Sequence, residues 1–236
     1  MEKIDFRRHY VLVLDTETAN TLRAEDGSLD MSSVLMYDCG WSIVDTKGNV
    51  YRERSFVNCD IFLYEKQLMQ SAYYAYKIPC YLADLAEGKR IMSNTYEIRQ
   101  TMLADIKEFH IHEVVAHNAR FDINALNLIL RWTTKSKFRY WFPKDIEIWD
   151  TMKMARSVIL NKPTYAKFCE KHNFFTTNGK LPLTAETLYR FIIKDPFFVE
   201  AHTGLEDVQI EREIMFYCYR QHKKMVKTLY PAKVTE

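Results

Sequence analysis

Apolar positions in the first part of the chain occur in short runs that are typical of β-strands. Residues 9–15, HYVLVLD, are nearly all apolar or β-prone and predict a buried central strand that ends at a carboxylate. Residues 34–45 and 49–57 form two more strand-like runs, and the segment 46–48 between them, Thr-Lys-Gly, predicts a hairpin. We therefore expect three adjacent strands at the start of the fold.

The rest of the chain combines shorter strand-like runs with helical periodicity. Residues 114–117 and 146–150 are apolar runs of strand length, whereas residues 62–110 and most of the remaining chain are predicted to be helical. Breaks in the helical pattern are expected near Pro79 and Gly88. Strands first, then strands alternating with helices, predict an α/β fold with a mixed sheet flanked by helices.

Two polar positions are predicted to cap helices. Asn118 directly precedes a helical pattern and is predicted to be its N-cap. Thr203 and Glu206 have the spacing of a capping box, in which each side chain reaches for an unpaired backbone N–H group. The box predicts that the last long helix begins just after Thr203.

Length and composition predict one globular domain. The chain has 236 residues, of which 47% are hydrophobic, and this is enough to bury one good-sized core. Repeats and Pro/Gly/Ser linkers are not evident in the sequence. We expect a single domain, residues 1–236, with a helical insertion around residues 58–110 and a long polar loop over residues 19–33.

The charges are distributed unevenly along the chain. The net charge of +2 is the balance of −5 up to residue 118 and +7 after it. A positive second half could attract a polyanion. Solvated faces of exposed helices are the ordinary alternative, so the charge alone decides nothing.

Cysteine usage and hydropathy bear on the compartment. Five cysteines without a C-x-x-C pair argue against a disulfide framework and against a cysteine zinc site. The N-terminus lacks the apolar region of a signal peptide, and no apolar run approaches the ~20 residues that span a bilayer. We expect a cytoplasmic protein of a bacterium or a phage-infected host cell, without a membrane partner.

Asp15 and Glu17 form the first candidate cluster for chemistry. They stand two residues apart at the end of the first predicted strand, so their side chains point to the same face. Two buried carboxylates repel each other unless a cation lies between them, and Mg²⁺ or Mn²⁺ prefers such oxygen ligands. The alternative is a pair of exposed acids in a loop, because D-x-E pairs are common.

Two further clusters lie where predicted helices begin. Asp122 falls in the first turn of the helix after residues 114–117, and the strand ends of α/β sheets usually place ligands there. His202 precedes the last helix and Asp207 falls in its first turn; imidazole can accept a proton from water near neutral pH. The alternatives are acids favoured by helix dipoles and a surface histidine. Taken together, the clusters could assemble one metal site at a sheet edge.

The order of the three clusters resembles that of the DEDDh (DnaQ-like) family of 3′–5′ exonucleases. The similarity spans roughly residues 9–220. The matching motifs are Asp15-x-Glu17, then His117-Asn118-x-x-Phe121-Asp122, then His202-x-x-x-x-Asp207. The resemblance implies an RNase H-like fold, in which three antiparallel strands are followed by parallel strands.

The resemblance also implies a two-metal site, with Mg²⁺ as the natural ion and Mn²⁺ as a substitute. Asp15 would bridge two ions about 3.5–4 Å apart. Glu17 and Asp207 would complete the first coordination shell, Asp122 would bind the second ion, and His202 would deprotonate the attacking water. Contacts to the substrate are implied for four residues: Thr16, Thr18, Asn118 and Phe121.

The expected function is therefore degradation of single-stranded DNA from its 3′ end to nucleoside 5′-monophosphates. The protein would act alone or as a proofreader for a DNA polymerase in trans, in replication or repair. An exoribonuclease of the same fold is the alternative, because both substrates present a 3′ end. A non-catalytic nucleic-acid-binding module has no need for all five site residues, and a glycosidase needs two opposed acids instead.

Overall fold

The computed structural model describes residues 4–19, 30 and 32–230. Most of the polar loop expected over residues 19–33 lies outside the described residues. Within the described residues, six strands form one sheet in the order β4-β3-β2-β1-β5-β6. The strands are β1 (Tyr10–Ala19), β2 (Leu35–Asp45), β3 (Val50–Asn58), β4 (Ile91–Ser93), β5 (Glu113–Ala116) and β6 (Glu147–Asp150).

The strand directions confirm the expected mixed sheet. β2 pairs antiparallel with both β1 and β3, whereas β5 runs parallel to β1 and to β6. The predicted hairpin joins β2 to β3, and Gly48 adopts the positive φ of 101° that its turn needs. Three antiparallel strands followed by parallel ones, flanked by helices, are the predicted RNase H-like arrangement.

The segment 59–108 contributes more than helices. Its last part includes β4, which was not predicted and which pairs parallel with β3 at the edge of the sheet. The predicted break near Pro79 is a helix start instead, because Pro79 occupies the first turn of a helix, where its missing N–H costs nothing. Gly88 lies just after the end of that helix, at a positive φ of 73°, as a helix C-terminus favours.

Nine α-helices are found among the described residues. Those before β5 are α1 (Cys59–Phe62), α2 (Lys66–Ser71), α3 (Ile78–Ala86) and α4 (Thr95–Glu108). Those after β5 are α5 (Arg120–Thr134), α6 (Thr151–Val158), α7 (Pro163–His172), α8 (Ala185–Ile193) and α9 (Gly204–Arg220). Ala75–Lys77 forms a short 3₁₀ turn between α2 and α3.

Hydrophobic cores cover both faces of the sheet, because successive side chains of a strand point to opposite faces. Leu12 and Leu14 of β1 belong to the core that includes buried residues of α4 and α5. Val11 and Val13 belong to the core that includes residues of α6 to α9. Continuing this alternation, Asp15 and Glu17 face the side of α9, and Thr16 faces the side of α5.

One of the two predicted N-caps differs from the structure, and the other lacks the predicted capping bonds. α5 begins at Arg120 with Ala119 as its N-cap, whereas Asn118 adopts a left-handed φ of 56° and donates its backbone N–H to Asp150. Thr203 is the N-cap of α9 as predicted, but its hydroxyl donates to the Glu206 carboxylate instead of capping a backbone group. The predicted capping box is therefore wrong, because the Thr203 and Glu206 side chains bond to each other and not to backbone N–H groups.

Asp38 on β2 joins α9 to the sheet. This fully buried carboxylate accepts hydrogen bonds from the backbone N–H of Gly204, from the Tyr81 hydroxyl and from the Arg90 guanidinium. Arg90 also contacts Glu206, so the start of α9 is tied to the segment between α3 and β4. These contacts fix the helix end that carries Asp207.

None of the helices in the described ranges has the length and apolar character that crossing a bilayer requires.

Candidate metal centre and active site

Asp15 and Glu17 lie inside β1 rather than beyond its end, because the strand continues to Ala19. Asp15 is opposite Gly40 and Glu17 is opposite Asp38 on β2. Both carboxylates are partly buried and lie on the same face of the sheet, as their spacing predicts. The extended backbone thus presents two acids to the start of α9.

The start of α9 brings the third predicted cluster to this pair. Ligand atoms of Glu17, His202 and Asp207 all lie within 4.8 Å of one another. His202 sits in the loop before α9 at a left-handed φ of 51°, and Asp207 is buried in the first turn of the helix. Residues separated by about 190 positions in the chain therefore share one small volume, as a cation site requires.

Asp122 reaches the same region from α5. Its Oδ1 accepts hydrogen bonds from the Thr16 backbone N–H at 3.1 Å and from the Thr16 hydroxyl at 2.9 Å. Because Thr16 stands between Asp15 and Glu17 in the chain, these bonds hold Asp122 beside the first motif. The charge of Asp122 in turn raises the pKa of Asp15, after the larger effect of burial.

Burial and mutual repulsion disfavour the ionised forms of these acids. Removal from water raises the pKa of Asp122 to about 7 and that of Asp207 to about 8, although hydrogen bonds to Asp122 from Thr16 oppose the rise. Burial also raises the pKa of Asp15 and of Glu17, and the neighbouring charge of Asp207 adds to the effect on Glu17. A cluster of acids that resists ionisation is one that a dication would stabilise.

Glu211 is a fifth carboxylate of the cluster that sequence reasoning missed. It lies one turn after Asp207 on α9 and is only 2% exposed. Burial, followed by the charge of Asp122, raises the pKa of Glu211, whereas the backbone N–H of His117 stabilises its charged form. The signal that could have found it is the spacing of four from Asp207, which places both acids on one helix face.

The donor set fits divalent cations. Asp207 Oδ1 and Glu211 Oε2 are buried and have no hydrogen-bond partner within the described part of the chain. Unpaired buried oxygens are costly, so a cation that accepts their lone pairs would offset the penalty. All the acidic donors are hard oxygens, which suit Mg²⁺ or Mn²⁺.

The four residues expected to contact substrate have different surroundings. Thr16 and Thr18 are buried in β1, and the Thr16 hydroxyl is engaged by Asp122. Asn118 is exposed and Phe121 is partly exposed at the start of α5. His117, which directly precedes Asn118, is a structural tie, because its two ring nitrogens contact the Thr151 hydroxyl and the Leu183 carbonyl. The substrate contacts stay predictions.

The acidic cluster predicts how stability depends on pH without metal. The folded-state pKa values of Asp122 and Asp207, about 7 and 8, lie above the unfolded value of about 4, so folding favours the protonated forms. Their stabilising contribution is complete below about pH 4 and is lost as pH rises through 7 to 8. We expect the melting temperature in EDTA to fall over that range, and Mg²⁺ or Mn²⁺ to raise it more at about pH 8.5 than at about pH 5. Thermal melts at the two pH values check this; an equal metal-induced shift at both would contradict it.

Comparisons with known proteins support the fold and nothing finer. No protein-family model matches the chain, and no curated protein sequence matches it. A zinc-bound complex of Escherichia coli ExoI with single-stranded DNA is 13% identical with a TM-score of 0.51, covering 92% of this chain and 42% of that one. E. coli exonuclease I in complex with a dT13 oligonucleotide is also 13% identical, with a TM-score of 0.51 over 89% of this chain and 41% of that one.

The chain shares the fold of E. coli exonuclease I. It spans about two fifths of the length of these structures. The likeness therefore concerns the sheet and its flanking helices.

Proposed function

We propose that the protein is a metal-dependent 3′–5′ exonuclease that removes nucleotides from single-stranded DNA as nucleoside 5′-monophosphates. The observation that carries the proposal is the convergence of Glu17, His202 and Asp207 within 4.8 Å, with Asp15 and Asp122 beside them. A module that only binds nucleic acid has no use for a cluster of buried, mutually repelling acids, because each raises the free energy of the folded state.

The acids would hold divalent ions, which supply charge to the scissile phosphate and favour ionisation of water. Asp15 and Glu17 would hold them from β1, Asp207 from α9 and Asp122 from α5. The assignment of each acid to a particular ion stays a prediction.

His202 is the candidate general base. Burial, followed by the charge of Lys77, lowers the pKa of His202 below its usual value, so the imidazole is neutral near pH 7 and can accept a proton. In the proposed reaction an imidazole nitrogen takes a proton from water as its oxygen attacks phosphorus. The bond from phosphorus to the 3′ oxygen breaks, this oxygen takes a proton from solvent water, and the shortened strand ends in a 3′ hydroxyl.

DNA is the favoured substrate, because the exonuclease I structures that share the fold are complexes with single-stranded DNA and with a dT13 oligonucleotide. An exoribonuclease with the same site is the second candidate, and a proofreading partnership with a polymerase stays a prediction from the sequence.

A cleavage time course on end-labelled single strands tests the proposal. We expect a 5′-labelled DNA strand to shorten one nucleotide at a time in Mg²⁺ and a 3′-labelled strand to release labelled mononucleotide at once. EDTA should stop both reactions. Faster cleavage of a matched RNA strand would reassign the substrate, and intact strands in Mg²⁺ and in Mn²⁺ would overturn the proposal.

A further inference from the structure

Residues Tyr73–Lys77, between α2 and α3, lie directly against the candidate general base. We call this segment the tyrosine arm. The Tyr74 ring stacks on the His202 imidazole, with 4.7 Å between ring centroids and 15° between planes. Tyr73 packs edge-on against Tyr74 at 4.5 Å, and Tyr76 lies 6.2 Å from it. Three aromatic rings therefore form a cluster whose middle ring stacks on His202.

Lys77 fastens the tyrosine arm to the loop that carries His202. Its Nζ lies 4.6 Å from the Tyr74 ring centroid and donates to the backbone carbonyls of Ala201 and His202. The same positive charge acts on the carboxylates of Glu17 and Asp207. The arm and the histidine loop thus form one connected unit at the edge of the site.

The outer rings of the arm are open to solvent. Tyr73 is 70% exposed and Tyr76 is 72% exposed, whereas Tyr74 between them is partly buried. An aromatic ring in water gains free energy when another flat surface covers it. The exposed rings therefore offer binding area immediately beside the candidate catalytic residues.

An acidic centre needs help to hold a polyanion. Without bound divalent ions, as in EDTA, ionised carboxylates of Asp15, Glu17 and Asp207 would repel a phosphate backbone, and Lys77 is a single positive charge beside them. Base stacking on aromatic side chains does not depend on phosphate charge, and it tolerates every base because each has a π face. A duplex cannot stack its bases on these side chains in the same way, because its bases already stack on each other.

We propose that the tyrosine arm is the strand-recognition element of this site, with Tyr73 and Tyr76 stacking on unpaired nucleobases next to the cleaved nucleotide. Tyr74 and Lys77 join this platform to His202, so the element that grips the bases also positions the general base. The inference rests on the proposed function for its substrate, and it adds the residues that select single strands over duplex.

Binding without turnover tests the stacking. Fluorescence anisotropy in EDTA compares a labelled thymidine oligomer with an abasic oligomer of the same length, which keeps the phosphates and loses the bases. Wild-type protein is expected to bind the thymidine strand more tightly. The double variant Tyr73→Ala/Tyr76→Ala should bind that strand at least about 5-fold more weakly, and it should bind the abasic strand like wild type.

A matched control carries the same change at tyrosines away from the site. Tyr96 on α4 and Tyr230 near the end of the described chain are 69% and 57% exposed. Tyr96→Ala/Tyr230→Ala should bind both strands like wild type. Equal affinity of wild type for thymidine and abasic strands, or an unchanged affinity in the Tyr73/Tyr76 variant, would overturn the inference.

Cleavage kinetics test the link to His202. Tyr74→Leu should lower kcat more than it changes KM, whereas Tyr74→Phe keeps the stacked ring and should restore most of the kcat that Tyr74→Leu loses. Equal kinetics for the two variants would refute the positioning role of Tyr74. If wild type cleaves no strand, the proposed function fails, and the anisotropy experiment still decides whether the arm stacks bases.

Discussion

Replacing Asp15 by asparagine is expected to lower the cleavage rate at least about 10³-fold while leaving the protein folded, since metal ions contribute several kcal/mol to such barriers. Asp15 lies on β1 with Asp122, Glu211, Asp207 and Glu17 close enough to raise its pKa, after the larger effect of burial. Asparagine keeps the shape of the side chain and removes one of the repelling charges. The fold should therefore hold, while the capacity to bind divalent ions falls.

Two measurements separate loss of metal from loss of structure. The melting temperature of Asp15→Asn in EDTA should equal or exceed that of wild type, and the increase caused by Mg²⁺ or Mn²⁺ should be much smaller. Asp145→Asn is the control, because this exposed acid precedes β6 at the opposite end of the parallel strands. A variant at Asp15 that cleaves like wild type would show that the metal ligands are assigned wrongly.

The shared face of the candidate acids could be predicted because strand and helix periodicity constrains it locally. Asp15 and Glu17 share a face as any residues two apart in a strand do. The structure places Glu17 beside Asp207, and Asp15 is close enough to Asp207 for its charge to raise the pKa of Asp15. Their convergence with acids of α5 and α9 was predicted from the order of the motifs. Periodicity alone does not indicate it. The sequence contains the acids, but only the folded sheet shows that their distances are short.

Other features were beyond prediction for physical reasons. β4 has three residues, too few to show a strand pattern, and its pairing with β3 depends on tertiary contacts. Asn118 was predicted as a cap because asparagine often caps helices, yet asparagine also tolerates the left-handed conformation that it adopts here. Tyr74 and His202 are neighbours only because the loop before α9 and the tyrosine arm meet in the folded chain.

Glu211 shows how a buried acid can be hidden by an ordinary pattern. α9 also carries Glu206 and Glu213, and an acidic residue on a long helix normally faces solvent. Glu211 is buried instead, between Asp207 and the backbone of His117. The spacing of four residues between Asp207 and Glu211 indicates that Glu211 is buried only once Asp207 is known to face the sheet.

Replacing Gly40 by alanine is expected to destabilise the fold by about 3 kcal/mol, which is at the upper end of the usual cost of overpacking. A Cβ atom at Gly40 would lie 2.3 Å from the backbone nitrogen of Leu205 and 2.5 Å from the Gly204 carbonyl carbon. Backbone atoms cannot rotate away as a flexible side chain can, so α9 must shift. In the absence of this contact, alanine would stabilise a strand by about 0.5–1 kcal/mol relative to glycine. The close contact with α9 therefore determines that Gly40→Ala lowers the free energy of unfolding.

The shift of α9 should also reduce activity, because His202 and Asp207 flank Gly204 and Leu205 in the chain. Displacement of catalytic groups by about 1 Å can cost roughly 10²-fold in rate. Ser42→Ala is the matched control: it places the same residue two positions along β2, on the same face, and removes a buried hydroxyl that has no partner among the described residues. We expect thermal melts to show a loss of about 6–12 °C for Gly40→Ala and little change for Ser42→Ala. A Gly40→Ala protein as stable and active as wild type would mean that β2 and α9 do not approach this closely, and the position of Asp207 beside Glu17 would lose its structural basis.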